Sequence, residues 1–231
     1  SPRVKRTRYF MFPRKELQKS SPDDFIEQMN RVHLEVFNRL AQSLAGRQAV
    51  VPLSGGFDSR LIAVLLHHLG YDNLKFITYG RPGNWESRIS KEIADHFQVG
   101  WHFVPLSQHT WADAFRREQR KTFTFNAGNF ASHTIIQEYP VLQHLAEQGI
   151  VDNDAVFIPG HSGGFTSGSH IPTSFMKQPV ISRDELYSHI LRKNYRKWNW
   201  QKSEEDYQPF FYQKIHRLLQ APEILSPEQA C

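Results

Sequence analysis

The fold is decided by residues 49–60, AVVPLSGGFDSR. The first five residues, AVVPL, are an apolar run typical of a buried strand, and residues 54–59 form a polar turn that contains two glycines. A nearly continuous apolar segment, Arg60 to Leu69, follows and predicts a buried helix that ends at Gly70. Strand, glycine turn and helix in this order predict a phosphate site, because backbone amides and the positive end of the helix converge there.

The side chains of this turn also suit phosphate. Ser54 and Ser59 add hydroxyl donors, and Gly55 and Gly56 let the backbone approach an anion closely. Asp58 would repel a phosphate by itself, so we expect it to hold a magnesium ion that the phosphates also bind. The turn matches neither the Walker loop GxxxxGK[ST] nor the dinucleotide pattern GxGxxG. An ordinary strand–helix turn with small capping residues is the alternative interpretation.

Strands and helices alternate on both sides of this stretch. An amphipathic helix is predicted from the start signal at 20–24 to Gly46. Further strands are predicted over 75–79, 101–106 and 155–158, and further helices over 86–97, 109–120 and 133–148. This alternation predicts an α/β fold, a parallel twisted sheet with helices on both faces. Residues 183–220 read as helix without strands and predict a C-terminal helical appendage.

Ligands of parallel sheets bind at the carboxyl ends of the strands. Three predicted loops lie at those ends, so we expect them to face one cleft; they cover residues 54–59, 80–86 and 159–169. His133 precedes a predicted helix start near this cleft, where it could contact substrate or simply belong to the helix cap.

Residues 51–60 resemble the pyrophosphate loop of the N-type ATP pyrophosphatases, the PP-loop superfamily. These enzymes split ATP between its α and β phosphates to adenylylate a substrate. Within the superfamily, the chain is most similar to the synthetase domain of glutamine-dependent asparagine synthetases. Residues 77–83 resemble the strand and loop that hold adenine there, and residues 8–10 resemble the segment that follows the glutaminase domain. The resemblance covers about residues 8–170 and implies the adenine nucleotide alpha hydrolase-like fold.

The resemblance implies a set of functional residues. Leu53 and Tyr79 would contact the adenosine. The pyrophosphate and its magnesium ion would be bound by Ser54, Gly55, Gly56, Asp58 and Ser59. Gly80 and Gly160 complete the predicted ATP-binding set, Asp58 is the predicted magnesium ligand, and Asp58 and His161 are the predicted catalytic residues.

A second loop departs from the family's pattern. Family members carry Ser-Gly-Glu-Gly-x-Asp-Glu, in which the Glu helps the amine attack and the Asp binds magnesium. The corresponding residues 159–165 read PGHSGGF, with His161 at the Glu position and Gly164 at the Asp position. A histidine can act as a base near neutral pH, although a hydrogen-bonded loop histidine is the alternative. The missing Asp indicates either a divergent substrate, which we favour, or a protein that binds nucleotide but reacts poorly.

The implied reaction is AMP-forming amide synthesis: ATP adenylylates a small carboxylate, pyrophosphate leaves, and ammonia or an amine displaces AMP. Divergent family members belong to antibiotic, lasso-peptide and polysaccharide pathways, so aspartate is only the default carboxylate. The family's glutaminase uses an N-terminal cysteine, whereas this chain begins with Ser1 and has a lone Cys231. We therefore expect a divergent member that lacks the glutaminase domain and takes ammonia from a separate glutaminase or another source.

Composition and charge limit the remaining functions. One cysteine among 231 residues excludes a disulfide scaffold and a cysteine-ligated metal cluster. There is no apolar run of membrane-spanning length and no signal-peptide segment, so we expect no membrane partner and a cytoplasmic location. The net charge of +5 fits an anionic ligand such as ATP.

An RNA-modifying member of the superfamily is a further alternative. A basic N-terminal stretch and the aromatic residues of 195–212 could serve RNA, but they form no recognisable RNA-binding module, and the cysteines of the thiolating enzymes are missing. We therefore do not expect nucleic acid as a partner. We divide the chain into an arm or linker (1–20), a PP-loop ATP-binding synthetase domain (21–180) and the helical appendage (181–231).

Overall fold

A computed structural model describes residues 21–128, 135–161, 163–166, 168–195, 204–219 and 224–225. The predictions for the arm at 1–20 and for His133 lie outside these residues. The chain forms two compact units, Ser1–Gly160 and His161–Cys231. The sequence places the boundary between sheet domain and appendage further along the chain, at 180/181.

The first unit alternates helices with strands. Its helices are α1 (Pro22–Leu44), α2 (Phe57–His68), α3 (Trp85–Phe97), α4 (Gln108–Arg116), α5 (Gln119–Gly128) and α6 (Tyr139–Glu147). Its strands are β1 (Ala49–Pro52), β2 (Leu74–Gly80), β3 (Gly100–Pro105) and β4 (Val156–Phe157), and a turn of 3₁₀ helix (Ile136–Glu138) precedes α6. Among the residues described, no helix combines the length and the apolar character that a membrane span requires.

The four strands form one parallel sheet in the order β3-β2-β1-β4. Val51 of β1 lies opposite Phe76 of β2, and Ala49 lies opposite Val156 of β4. The chain therefore adds β2 and β3 on one side of β1 and then returns to place β4 on the other side. In parallel sheets, ligands bind in the crevice where the strand order reverses, which here lies between the ends of β1 and β4.

Successive residues of β1 face two hydrophobic cores, one on each face of the sheet. Ala49 and Val51 pack with buried residues of α1, α2 and α3, which are Phe37, Leu44, Ala63, Leu65, Leu66 and Ala94. Val50 packs on the other face with Ile77, Val104, Val141 and Leu145, of which the last two belong to α6. Helices thus cover both faces, which confirms the predicted α/β fold.

Local signals explain where α1 begins and ends, close to the predicted bounds. Ser21 and Asp24 form a reciprocal capping box around Pro22 in the first turn. At the other end Ala45 is left-handed (φ 51°), and Gly46 follows with φ 81°, so the helix stops there.

Two helix predictions were wrong in detail. The helix predicted over 109–120 is two helices, α4 and α5, because Arg117 adopts an extended conformation between them. The Arg117 guanidinium forms an ion pair with Glu147 of α6, a contact that no local pattern reports. The helix predicted from Arg60 as buried begins at Phe57, and its Leu61 and Val64 are exposed because only one side of α2 packs on the sheet.

The second unit has its own small core. Its elements are α7 (Gly163–Thr166), a 3₁₀ turn (Phe175–Lys177), β5 (Ile181–Ser182), α8 (Arg183–Tyr195), α9 (Glu204–Leu219) and β6 (Ile224–Leu225). Its core residues are Phe175, Ile181, Leu186 and Tyr187, with Tyr212 and Ile215 packed against them. Within its described residues, the predicted helical appendage therefore holds two helices, α8 and α9, and it also has an antiparallel strand pair, β5–β6, that flanks them.

Candidate active site

The turn after β1 is held closed by its two serines. The Ser54 N–H donates to Ser59 Oγ (3.1 Å), and the two hydroxyl oxygens lie 3.1 Å apart. The Gly56 N–H donates in turn to Ser54 Oγ (3.2 Å). Ser59 is only 4 % exposed, so its hydroxyl is fixed beneath the turn. The two hydroxyls predicted to bind phosphate thus satisfy each other in the free protein.

Helix α2 starts from this turn without a side-chain cap. Its N-cap residue is Gly56, which provides no cap hydrogen bond, whereas α1, α3 and α4 are capped by Ser21, Asn84 and Ser107. The first-turn amides of a helix need an acceptor, and an anion can supply one where a side chain does not. The α2 N-terminus therefore presents first-turn amides to which an anion could bind, as the sequence predicts.

Gly160, after β4, packs directly on this first turn. A Cβ atom on Gly160 would lie 2.6 Å from the Ser59 nitrogen and 2.9 Å from its Cα, closer than real Cβ contacts allow. Both neighbouring atoms are backbone, so a larger residue would displace the turn itself. The absence of a side chain at Gly160 lets the loop after β4 meet the loop after β1 where the strand order reverses.

The loop after β2 reaches the same turn through Trp85. The six-membered ring of this indole occupies the place of a Gly55 side chain, since a Cβ on Gly55 would lie 2.7 Å from Trp85 Cη2 and closer still to Cζ3. Gly80 has φ 142°, and a Cβ there would lie 3.1 Å from Asn84 Nδ2. Residues of the loops at 54–59, 80–86 and 159–160 thus meet at one edge of the sheet.

The residues predicted to hold adenosine lie at the ends of β1 and β2. Leu53 is 1 % exposed, and its N–H donates to the Ile77 carbonyl (2.8 Å). Tyr79 is partly buried against the other core. Burial raises the pKa of the Tyr79 hydroxyl, and the carboxylates of Glu138 and Glu86 raise it further, so the phenol stays protonated at neutral pH.

Asp58 is exposed in the first turn of α2 and has no ion-pair partner among the described residues. The described part of the chain contains no group of three or more His, Cys, Asp or Glu side chains that could hold a metal. A lone carboxylate beside a phosphate site fits magnesium, which commonly takes one or two carboxylates and completes its shell with phosphates and water.

Arg60 is a feature that the sequence interpretation missed. Its Nη2 donates to the Gly55 carbonyl (3.2 Å), and its guanidinium lies 5.1 Å from the centre of the Phe57 ring. This hydrogen bond ties the Arg60 guanidinium to the backbone of the turn. The sequence includes Arg60 at the end of the loop resemblance and at the start of an apolar run, but it assigns no role to this side chain.

His161 and Gly164 belong to the second unit. His161 is exposed, and Gly164 lies in the short helix α7, where its carbonyl accepts from the N–H (3.1 Å) and Oγ (2.9 Å) of Ser169. A Cβ on Gly164 would lie 2.8 Å from that Oγ. The structure thus brings the predicted residues of 53–59 together with Gly160, while the pairing of Asp58 with His161 stays a prediction.

The parallel sheet and the serine–glycine turn between β1 and α2 define the class, an α/β protein whose turn resembles that of the PP-loop superfamily. The family can be stated more narrowly than this class. The protein-family model described as asparagine synthase matches residues 40–163, more than half of the chain. The chain therefore belongs to the asparagine synthase family, an ATP-utilising ligase family.

Among solved structures, the chain is similar to the NH3-dependent NAD synthetase from Campylobacter jejuni subsp. jejuni NCTC 11168 in complex with the nitrate ion. The two are 14 % identical, the match covers 85 % of this chain and 98 % of that chain, and the TM-score is 0.35. No curated protein matches the chain.

Proposed function

We propose that this protein is an AMP-forming amide synthetase that adenylylates a small carboxylate with ATP for attack by ammonia or an amine. The observation that supports it most is the turn after β1, where two serine hydroxyls and an uncapped helix start form a ready anion site in a member of the asparagine synthase family. ATP is made and used in the cytoplasm, which we propose as the location, with ammonia coming from a separate source.

The turn is suited to hold the pyrophosphate end of ATP. Ser54 and Ser59 would exchange their mutual contact for bonds to phosphate oxygens, and the first-turn amides of α2 would face the same group. As the carboxylate oxygen attacks the α phosphorus, the bond from that phosphorus to the bridging oxygen breaks, and negative charge grows on the leaving pyrophosphate. The first-turn amides of α2 are fixed by the helix, so they would stabilise that charge without having to reorganise.

Asp58 would hold magnesium against the phosphates, and the ion would neutralise part of their charge. Leu53, Tyr79 and Gly80 would lie beside the adenosine at the ends of β1 and β2. His161 is proposed as the base that accepts a proton from the attacking amine, because it takes the position of the glutamate with that role in the family.

The products of ATP test this proposal. The protein is incubated with ATP, magnesium, ammonium and a panel of small carboxylates, with aspartate first, and the nucleotides are separated by ion-exchange chromatography. We expect AMP and pyrophosphate that depend on one carboxylate, and loss of both products in Asp58→Asn. Production of ADP and phosphate would contradict the mechanism.

A second candidate, a nucleotide-binding protein with reduced activity, is favoured by one observation, the glycine at position 164 where the family has a metal-binding aspartate. It predicts ATP binding without carboxylate-dependent AMP. No comparable observation favours the RNA-modifying alternative: Tyr212 packs edge-on against Tyr187 in the second core, and Trp198 and Trp200 lie outside the described residues.

A further inference from the structure

The start of α3 contacts the phosphate turn through an aromatic ring. Trp85 is the first residue of α3, and the edge of its six-membered ring fills the position of a side chain on Gly55. Only a glycine at position 55 permits this contact. Trp85 is nevertheless 57 % exposed, so its contact with the turn lies at the protein surface.

A buried chain of hydrogen bonds joins the same two elements. Thr78 Oγ1 donates to the Leu53 carbonyl (2.8 Å), directly before the turn, and lies 2.7 Å from Ser90 Oγ on α3. Ser90 Oγ also lies within hydrogen-bond distance of the Ser87 carbonyl (3.1 Å), so its single proton can serve either Thr78 Oγ1 or that carbonyl, and Ser87 Oγ donates to the Asn84 carbonyl (2.7 Å). Thr78 and Ser90 are buried, so the contacts of Thr78 Oγ1 with the Leu53 carbonyl and with Ser90 Oγ are protected from competition by water.

Asn84 fixes the direction in which Trp85 leaves the loop. Its Oδ1 caps α3 by accepting from the Ser87 N–H (2.8 Å), while its Nδ2 donates to the Arg81 carbonyl (2.7 Å). The cap and the loop are therefore one rigid piece, and the residue that follows the cap is Trp85. The start of α3 is held to the turn at two points, at Gly55 by the ring and at Leu53 by the hydrogen-bond chain.

We propose that Trp85 is a positioning residue that holds Gly55, and with it the amides of the phosphate turn, in the geometry that binds pyrophosphate. This proposal rests on the proposed function for its ligand, but the ring–glycine contact can be tested without any ligand. A positioning role can be told apart from stacking on the adenine base. If Trp85 positions the turn, its removal should weaken the binding of pyrophosphate as much as the binding of ATP.

The ligand-free test is a double-mutant cycle on thermal unfolding with Gly55→Ala, Trp85→Ala and the double variant. Gly55→Ala should lower Tm by about 3 °C or more in the wild-type background, because the new methyl group overlaps the ring. In the Trp85→Ala background the same change should lower Tm by less than about 1 °C. Equal losses in the two backgrounds would overturn the contact.

The functional test is titration calorimetry of inorganic pyrophosphate with magnesium, and of ATP with magnesium. Trp85→Ala should weaken pyrophosphate binding by about tenfold, and Trp85→Phe, which keeps an aromatic ring, should weaken it by less than about threefold. The matched control is Phe25→Ala on α1, since Phe25 is 58 % exposed and should leave both affinities unchanged.

The outcomes separate the two proposals. Wild-type affinity for pyrophosphate in Trp85→Ala overturns the positioning role, and so does a loss confined to ATP, which would make Trp85 a base-stacking residue instead. A wild-type protein that binds neither ligand overturns the proposed function, and the thermal cycle then decides by itself whether Trp85 holds the turn.

Discussion

The loop after β1 and the loop after β4 differ in how much of the family's pattern each retains. The first has both serines, both glycines and the aspartate, and hydrogen bonds between the serines hold the turn closed. The second keeps Gly160 at its start, but it has His161 and Gly164 at the positions of the family's glutamate and aspartate. The predicted phosphate loop thus retains the family's residues, while the loop predicted to act on the acceptor does not.

If the proposed function holds, this difference marks the loop in which substrate specificity would have changed. Phosphate is common to every reaction that consumes ATP, so its site is constrained by one unvarying ligand. The carboxylate and the amine differ between family members, and their catalytic residues can change with them. On this account the protein is a working synthetase with another acceptor rather than a damaged one.

The largest effect is expected where the two loops touch. Gly160→Ala places a methyl group against the Ser59 backbone, which no side-chain rotation can relieve, so we expect ATP affinity to fall by about tenfold or more. Overpacking of this kind costs about 1–3 kcal/mol and should lower Tm by several degrees. Calorimetry and thermal unfolding measure both, with Gly100→Ala as the control, since a Cβ on Gly100 meets nothing within 4 Å. Unchanged ATP affinity in Gly160→Ala would show that the contact between the two loops does not contribute to ATP binding.

Ser59→Ala should have the second-largest effect on ATP affinity and stability. It removes the acceptor of the Ser54 N–H and the partner of the Ser54 hydroxyl, two hydrogen bonds with a combined value of about 1–3 kcal/mol. ATP affinity should fall by about tenfold. Ser107→Ala, which removes the cap of α4, is the control and should lower stability but not affinity. An equal loss of affinity in both variants would show a general effect of destabilisation.

Gly164→Asp tests whether the loop after β4 has lost activity or serves a different substrate. The new side chain would meet Ser169 Oγ, so the change is made together with Ser169→Ala, and Ser169→Ala alone is the control. A divergent enzyme should show less than about a twofold change in carboxylate-dependent AMP formation. A rise of about tenfold or more would favour the nucleotide-binding protein with reduced activity.

The smallest expected effect is a change in how stability depends on pH. It comes from His102, so it must be measured separately from any pH dependence of activity that comes from His161. Burial lowers the pKa of His102 on β3 below 6.5, and His144 and Lys75 lower it further. The unfolded chain therefore binds this proton more tightly, so the stability linked to His102 is complete above pH 6.5 and declines as the pH falls below it. We expect His102→Phe to reduce the acid loss of Tm between pH 7 and pH 5. An identical acid loss in the variant would exclude His102 as its cause.

Much of the fold follows from the sequence because its signals are local. The apolar run at 49–53, the capping residues of α1 and the glycine turn each act within a few residues, and each element formed near its predicted place. The break at Arg117 and the exposure of Leu61 depend on packing between distant elements, which periodicity does not report. The same limit applies to β5 and β6, which are two residues each and exist through their pairing.

The candidate site likewise has residues that local sequence predicts and residues whose role depends on packing between distant elements. The serines, the glycines and Asp58 could be predicted because they form one contiguous motif with one chemistry. Trp85 and Thr78 could not, because their role comes from contacts with Gly55 and Leu53 that are made only when β2 and α3 pack beside β1. The tight fit of Gly160 on Ser59 likewise depends on the strand order.

A crystal structure of the protein with magnesium and α,β-methylene-ATP, which cannot be cleaved between the α and β phosphates, tests the central claim most directly. We predict the β and γ phosphates on the amides of 54–59, the metal on Asp58, and the adenosine between Leu53 and Tyr79. A nucleotide bound elsewhere, or one whose phosphates do not touch this turn, would contradict the account.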